Sequence, residues 1–441
     1  MKKITLATLF FLLVVGNLFA QQEKGITGYN NWLDSWTDFK PNKANYEAPT
    51  EILTGNITEN TTLTKRNTYL LLGDVFVTDS TVLTIEAGTV ILGDYKTKGS
   101  LTISNGSKIV AEGKPTDPII FTSSRTDKKP GDWGGLFVLG NAPLNTFGQV
   151  ASLNYGLNPS STESISYGGD NANSNSGILS YLRIEYAGKN TKDFGHFSGL
   201  TLAGVGLGTI VNKVMVSYCQ GNSFNILGGE VALFNAVSFR SNKNDFNFNY
   251  GTQCKLKNSL AIRSPYISSA DGSRCLYVSS YDLKENSDSS KKETDVIARN
   301  LTLINVSEDL RSDMKVGLVQ EAIFIGPDVA FTLKKSVISG FMPAVIFDER
   351  IVINNENLTK IKFRQSYFNN CKGNIYRKGN TNNDDLESWY GSRAFDNVYS
   401  KGPDSETFID SDNDRYPDFR LRINKIIASN DYFDDDDDDE D

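Results

Sequence analysis

Four aspartates, Asp410, Asp412, Asp414 and Asp418, stand in the run DSDNDRYPD near the C-terminus. Carboxylate oxygens at alternate positions suit a hard cation, so the run predicts a loop holding a structural Ca²⁺ ion. Arg415 departs from that pattern, because such loops usually have glycine there for the tight turn. A second constellation is cationic: Arg240 and Arg263 lie 23 residues apart and are expected at outward positions of regular strands, with Lys255 and Lys257 between them. Polysaccharide elimination needs a base to take the proton beside a uronate carboxylate and a cation to neutralise that acid. These four residues are therefore the catalytic set of an enzyme reading, although no run of carboxylates beside them supplies the calcium that often completes such a site. Hydrolysis would need two carboxylates facing one cleft at about 5 to 9.5 Å, and neither Asp245 nor Asp170 has an evident partner. His196, the single histidine, lies in the Gly-flanked run DFGHFSG and removes most His-based catalysis and transition-metal binding. Of the four cysteines, Cys254 and Cys275 are 21 residues apart. That is close to one turn of the repeat described next, and the pair is expected to form a disulfide, with the pairing of Cys219 and Cys371 open.

The elements that must position these residues are strands. Asn212-Lys-Val-Met-Val, Asn235-Ala-Val-Ser-Phe and Asn258-Ser-Leu-Ala-Ile recur every 23 residues. Val214 and Val216, Val237 and Phe239, and Leu260 and Ile262 alternate with other residues, so each pair shares one face of a strand, predicted to be the core face. A short strand returning at a fixed advance is what a coil of a parallel β-helix requires. Asn212, Asn235 and Asn258 are expected to stack at the turn into the strand. Phe224-Asn-Ile and Phe246-Asn-Phe recur in the same phase. Upstream, STVLTIEAGTVILGD, GSLTISNGSKIVAEG and DPIIFTSSR are β-branched runs cut by Gly, Asp and Pro, the signature of strands and turns. No amphipathic helix stands out in the mature chain. Long polar excursions at 141–177 and 281–298 are expected loops on one face of the scaffold.

The expected fold is all-β, a right-handed parallel β-helix over residues 66–375 with irregular caps at 21–65 and 376–433. Residues 26–50 would cover the N-terminal end or pack along the side. Residues 1–20, with two lysines, a short apolar run and Ala20, predict a secretory signal peptide rather than a membrane span. Release into the periplasm, the outer-membrane region or the cell surface follows from it. Net charge is -8, yet the last eight residues, 434–441, are all acidic. The body is therefore near neutral, which argues against a nucleic-acid partner, and the tail is expected to be disordered.

The blocks LTIEAGTVILGD, KIVAEGKPTDPIIFTS, GDWGGLFVLGNAPLN, SYGGDNANSNSGILSYLRIEYAG and GLTLAGVGLGTIVNKVMVSY resemble a family of secreted β-helix proteins of Bacteroidota. The resemblance spans roughly residues 70–265. It implies an envelope or surface protein without an assigned reaction. Where that family has acidic segments, this chain has Gly221-Asn-Ser-Phe-Asn and Lys243-Asn-Asp-Phe-Asn, which weakens any carboxylate chemistry there. Asp79-Ser80-Thr81 is similar to the short O-glycosylation signal of the same phylum, with Ser80 as acceptor. Two functions are expected from the whole. One is a non-catalytic envelope protein whose loops bind a glycan or an outer-membrane protein. The alternative is a carbohydrate-active, lyase-like enzyme using Arg240, Arg263, Lys255 and Lys257.

Overall fold

A computed structural model describes residues 24–422 except 154, 193, 270, 271 and 381. The expected leader and acidic tail lie outside the described residues. Each coil lays down three short strands in turn, and like strands stack in parallel into three faces. The first face runs from Glu51–Leu53 to Val398–Ser400, the second from Asn56–Ile57 to Ile375–Arg377 and the third from Thr61–Leu63 to Ile361–Arg364. This is the right-handed parallel β-helix expected from the repeat. Its coils begin before residue 66, because the first coil is short and rich in Thr and Asn and shows no apolar alternation. Leu256, Leu303, Phe246, Phe248 and their stacked equivalents fill the interior.

The asparagine repeat slips by one residue. Met215 pairs with Val237 and Ser217 with Phe239, so Lys213, not Asn212, stands in register with Asn235 and Asn258. Lys213, Asn235, Asn258 and Asn300 all turn the corner between the third and first faces with φ between 52° and 57°, a conformation that asparagine tolerates better than most residues. A one-residue slip exchanges the two faces of a strand. Val214 and Val216 do point inside. Val237, Phe239, Leu260 and Ile262, expected inside as well, instead point outward and form a second core.

That second core exists because both ends of the chain cover the first face. Ile26, Leu33, Trp36 and Phe39 lie along it as a strap, and Phe408, Phe419 and Leu421 of the C-terminal hairpin pack beside them. Asn258 holds the strap by donating from Nδ2 to the Thr27 carbonyl at 3.1 Å and accepting the Thr27 amide at 2.7 Å. The Ile26 amide donates to Thr302 Oγ1 at 3.0 Å. The expected stack of asparagines therefore ties the coils to the strap; the amide bond from coil to coil is elsewhere, from Asn247 Nδ2 to Asn225 Oδ1 at 2.7 Å on the second face.

The expected Cys254–Cys275 disulfide is absent, and all four cysteines are free thiols. Cys254 sits in a third-face strand between Val231 and Val296, whereas Cys275 precedes the second-face strand Leu276–Val278. A spacing of 21 residues carries the chain to another face of the solenoid instead of to the neighbouring rung of the same column. Short helices, unmarked by periodicity because each spans only about one to two turns, interrupt the coils at Leu310–Lys315, Asn355–Lys360, Asp384–Gly391 and Asp404–Thr407. Leu386 and Tyr390 of the third of these close the C-terminal end of the core. Among the described residues no helix is long and apolar enough to cross a membrane.

Candidate functional site

The insertions between strands flank one face. Before the second face the chain leaves the coil at 186–199, after Arg263 and after Asn305; after the second face it leaves at 140–176, 279–293 and 348–360. The second face is therefore the floor of a trough between two walls. The expected loop at 281–298 ends earlier than its composition suggested, because Thr294–Arg299 is a strand of the third face.

The 140–176 excursion folds back over the upstream half of this floor. Leu144, Leu153, Tyr155, Ile165 and Tyr167 pack on the outward side chains Phe76 and Phe137, and Phe197 joins them. The excursion rejoins the solenoid at Gly177, where φ is +121° and an added Cβ would meet the Ile109 carbonyl oxygen at 1.8 Å, so only glycine fits this close approach. The two polar loops named from composition meet as one wall. Asp288 donates its amide to the Asn145 carbonyl at 2.8 Å, Asn145 Nδ2 donates to the Ser280 carbonyl at 2.9 Å, and Lys291 Nζ donates to the Thr146 carbonyl at 2.7 Å.

Downstream the floor is not roofed by that excursion. Asn247, Tyr277, Phe324, Ile346 and Tyr376 occupy successive rungs of one outward column. At about 4.8 Å per rung the column is roughly 19 Å long. Tyr277 and Phe324 stack with centroids 4.8 Å apart and planes 9° apart. On the wall that precedes the floor, Arg274 lies over the Phe324 ring at 5.2 Å and pairs with Glu321 at 2.6 Å. On the opposite side three carboxylates follow one another, each held by a donor. Tyr250 donates to Asp282 at 2.5 Å, Tyr281 to Asp328 at 2.7 Å, and Arg350 grips Asp348 with two bonds of 2.7 and 3.0 Å.

These contacts set the protonation of the trough. Burial, then the charge of Asp282, raises the Tyr277 hydroxyl above its ordinary value against the pull of Arg274. Burial and the bond to Asp328 push Tyr281 up to about 12, and burial with Asp282 raises Tyr250. Burial opposes ionisation of Asp348, but the bonds and charge of Arg350 hold its carboxyl below the usual range. At neutral pH Tyr277, Tyr281 and Tyr250 are therefore neutral phenols, and Asp348 is a charged carboxylate. A general base would need a pKa near the working pH, and these phenols are shifted away from it.

A family model described as a pectate-lyase-like beta helix domain matches residues 55–407. The chain belongs to the pectate-lyase-like β-helix family. No curated protein matches it. Among solved structures, an alginate lyase from Paenibacillus sp. str. FPU-7 is similar at 10% identity over 73% of this chain and 91% of that chain, with a TM-score of 0.25.

In this pectate-lyase-like β-helix the four cations of the enzyme reading do not share a site. Arg263 points inward, and its side chain is 4% exposed. It pairs with Asp245 at 3.1 Å and donates to the carbonyls of Ser241 and Lys243 at 2.9 and 2.8 Å. Its expected outward position was wrong for the same reason as the slipped face: with Leu260 and Ile262 outside, parity sends Ala261 and Arg263 inside. Arg240 stands half-buried at a corner of the first face, 5.2 Å from the Phe239 ring, while Lys255 and Lys257 are exposed on the third face. His196 lies in a small hairpin with Asn190 and Thr191. Ser80 is exposed in a tight turn in which it and Asp79 both have positive φ.

The four C-terminal aspartates do not converge either. Asp410 faces Asp418 across the hairpin, Asp414 pairs with Lys40 at 2.6 Å, and Asp418 is gripped by Arg420. Among the described residues no group of three or more His, Cys, Asp or Glu side chains is placed to hold a metal ion. Two of the four carboxylates serve here as counter-ions that join the hairpin to the strap and to its own strand.

The trough itself was missed from sequence, although one signal was present. The recurrence of Phe224-Asn-Ile and Phe246-Asn-Phe marked the second face, and its outward position becomes Tyr277, Phe324, Ile346 and Tyr376 in the following coils.

Proposed function

We propose that this protein is an exported envelope or surface β-helix that binds a glycan along the open half of the trough without cleaving it. The observation that carries the reading is the outward column from Asn247 to Tyr376 between two walls of insertions. It combines the half-buried rings of Tyr277 and Tyr376 with paired carboxylates and phenols, the mixture that sugar faces and sugar hydroxyls require, while Phe324, 9% exposed, lies beneath Arg274. The raised phenols and the inward turn of Arg263 favour binding over elimination. Export and a Bacteroidota-type envelope address belong to the same proposal and rest on the leader and the sequence blocks.

The test is a panel of acidic and neutral polysaccharides, assayed for binding and for release of unsaturated or reducing ends. Binding without product is expected. Sustained release of unsaturated ends would replace this reading with the lyase.

Calcium is not part of this proposal, because an ion at Asp410–Asp418 would have to displace Lys40 from Asp414 and Arg420 from Asp418. With those ion pairs in place, the expected result is an unchanged melting temperature in millimolar Ca²⁺ and after chelation. A rise reversed by the chelator would establish the ion.

A further inference from the structure

The third face carries a pattern that neither the trough nor the strap uses. Leu256, Ala298, Leu333 and Phe363 point into the core, so the residues beside them point out. In one outward column Lys257 stacks on Arg299, Arg299 on Lys334 and Lys334 on Arg364. Four cations thus occupy four consecutive coils, spaced at about 4.8 Å. Lys257, Arg299 and Arg364 are exposed and Lys334 is half-buried. Phe234, 41% exposed, takes the rung before Lys257. Lys255 and Lys362 stand in the adjacent outward column with Ile297 and Thr332 between them.

Like charges opposite one another on neighbouring strands repel, and across these four coils the acids of this face stand outside the column; Glu112 occupies it four rungs upstream of Lys257. Asp295 lies at the far edge between Gln253 and Ala330, and Glu293 pairs with Lys360 at 3.2 Å. Arg299 donates to Asn300 Oδ1 at 3.3 Å and Arg364 lies 5.8 Å from the Phe395 ring centroid. Neither contact neutralises a charge.

We propose that this column is a binding strip for a linear polyanionic glycan laid along the solenoid axis, with about one anionic group per coil. The rung spacing is comparable with the length of one sugar residue in a chain, so successive acidic sugars meet successive cations. A single-stranded nucleic acid is the competing polyanion, but such sites interleave aromatic rings with the cations to stack bases. Here the rings stand at the two ends of the column, Phe234 before Lys257 and Phe395 beside Arg364, and none is interleaved between the cations. The strip lies on a different face from the trough, so either site can fail while the other stands.

The test titrates the full chain with dextran sulfate, polygalacturonate, uncharged dextran and a deoxythymidine oligonucleotide, at rising salt. The variants are Lys257→Gln with Arg299→Gln, and a control of equal charge change, Lys96→Gln with Lys114→Gln, far from the strip. Both acidic glycans are expected to bind and dextran not to bind, with affinity falling as salt rises. The Lys257/Arg299 pair of substitutions is expected to cost tenfold or more at low salt and to flatten the salt dependence, while the control pair changes neither. All these side chains point to solvent, so the variants keep the fold. Equal losses in both variants, or no binding of either acidic glycan, would overturn the strip. Tighter binding of the oligonucleotide than of the glycans would overturn the choice of ligand.

Discussion

Replacing Arg263 with alanine is expected to destabilise the protein by about 3–5 kcal/mol, the cost of stranding one partner of a buried ion pair. Asp245 is fully buried, and burial already raises its carboxyl above the ordinary value despite Arg263 and the Ser238 hydroxyl. Without the guanidinium the carboxylate loses its counter-charge, and the carbonyls of Ser241 and Lys243 lose their donor. The pH dependence has a definite sign. In the variant the folded-state pKa of Asp245 lies still further above its unfolded value, so stability is fully present below the unfolded value and falls as pH rises through the folded one. Chemical denaturation at pH 5 and pH 8 should therefore show the larger deficit at pH 8. Asp245→Asn combined with Arg263→Met removes both charges and should recover much of the loss. A variant as stable as the parent at pH 8 would mean that Arg263 faces solvent after all.

Trp36→Ala is expected to release the strap. Trp36 is 1% exposed, stacks near Trp32 at 6.3 Å and meets Tyr181 edge-on at 6.0 Å. Truncating a buried tryptophan costs about 3–5 kcal/mol. Here the loss falls on a segment that crosses the coils from outside, so local opening should precede unfolding of the solenoid. The sensitive measurement is amide hydrogen exchange at Ile26 and Thr27, whose hydrogens are bonded to Thr302 and Asn258. Both should exchange much faster in the variant, while amides of the interior strands change little. Uniform acceleration throughout the chain would instead make the strap and the coils one cooperative unit.

The coil repeat was legible because strands, turns and interior positions share one period. Which face of a strand looked inward was not. Leu260 and Ile262 read as core by alternation, and they are buried, but beneath a strap whose partner residues lie more than two hundred positions away in sequence. Small residues at the intervening positions, Ser238 and Ala261, were the available sign that the other side met a tight interior. The same parity hid Arg263. The trough depended on seeing several insertions together: 141–177 and the start of 281–298 were marked by polar composition, whereas the excursions after Arg263 and Asn305 mix apolar and charged residues and resemble coil. The aspartate run was legible as spacing, but its counter-ion Lys40 comes from the other end of the chain.

The trough is tested most directly by the affinity of a glycan from the polysaccharide panel for the wild type, Tyr277→Ala and Tyr376→Ala, measured by calorimetry on folded protein. Both side chains stand on the floor, rungs apart, and neither belongs to the third-face strip. Each substitution is expected to weaken binding about tenfold or more, equivalent to about 1.4 kcal/mol. Unchanged affinity in both variants would place the ligand elsewhere and contradict the trough as the binding site.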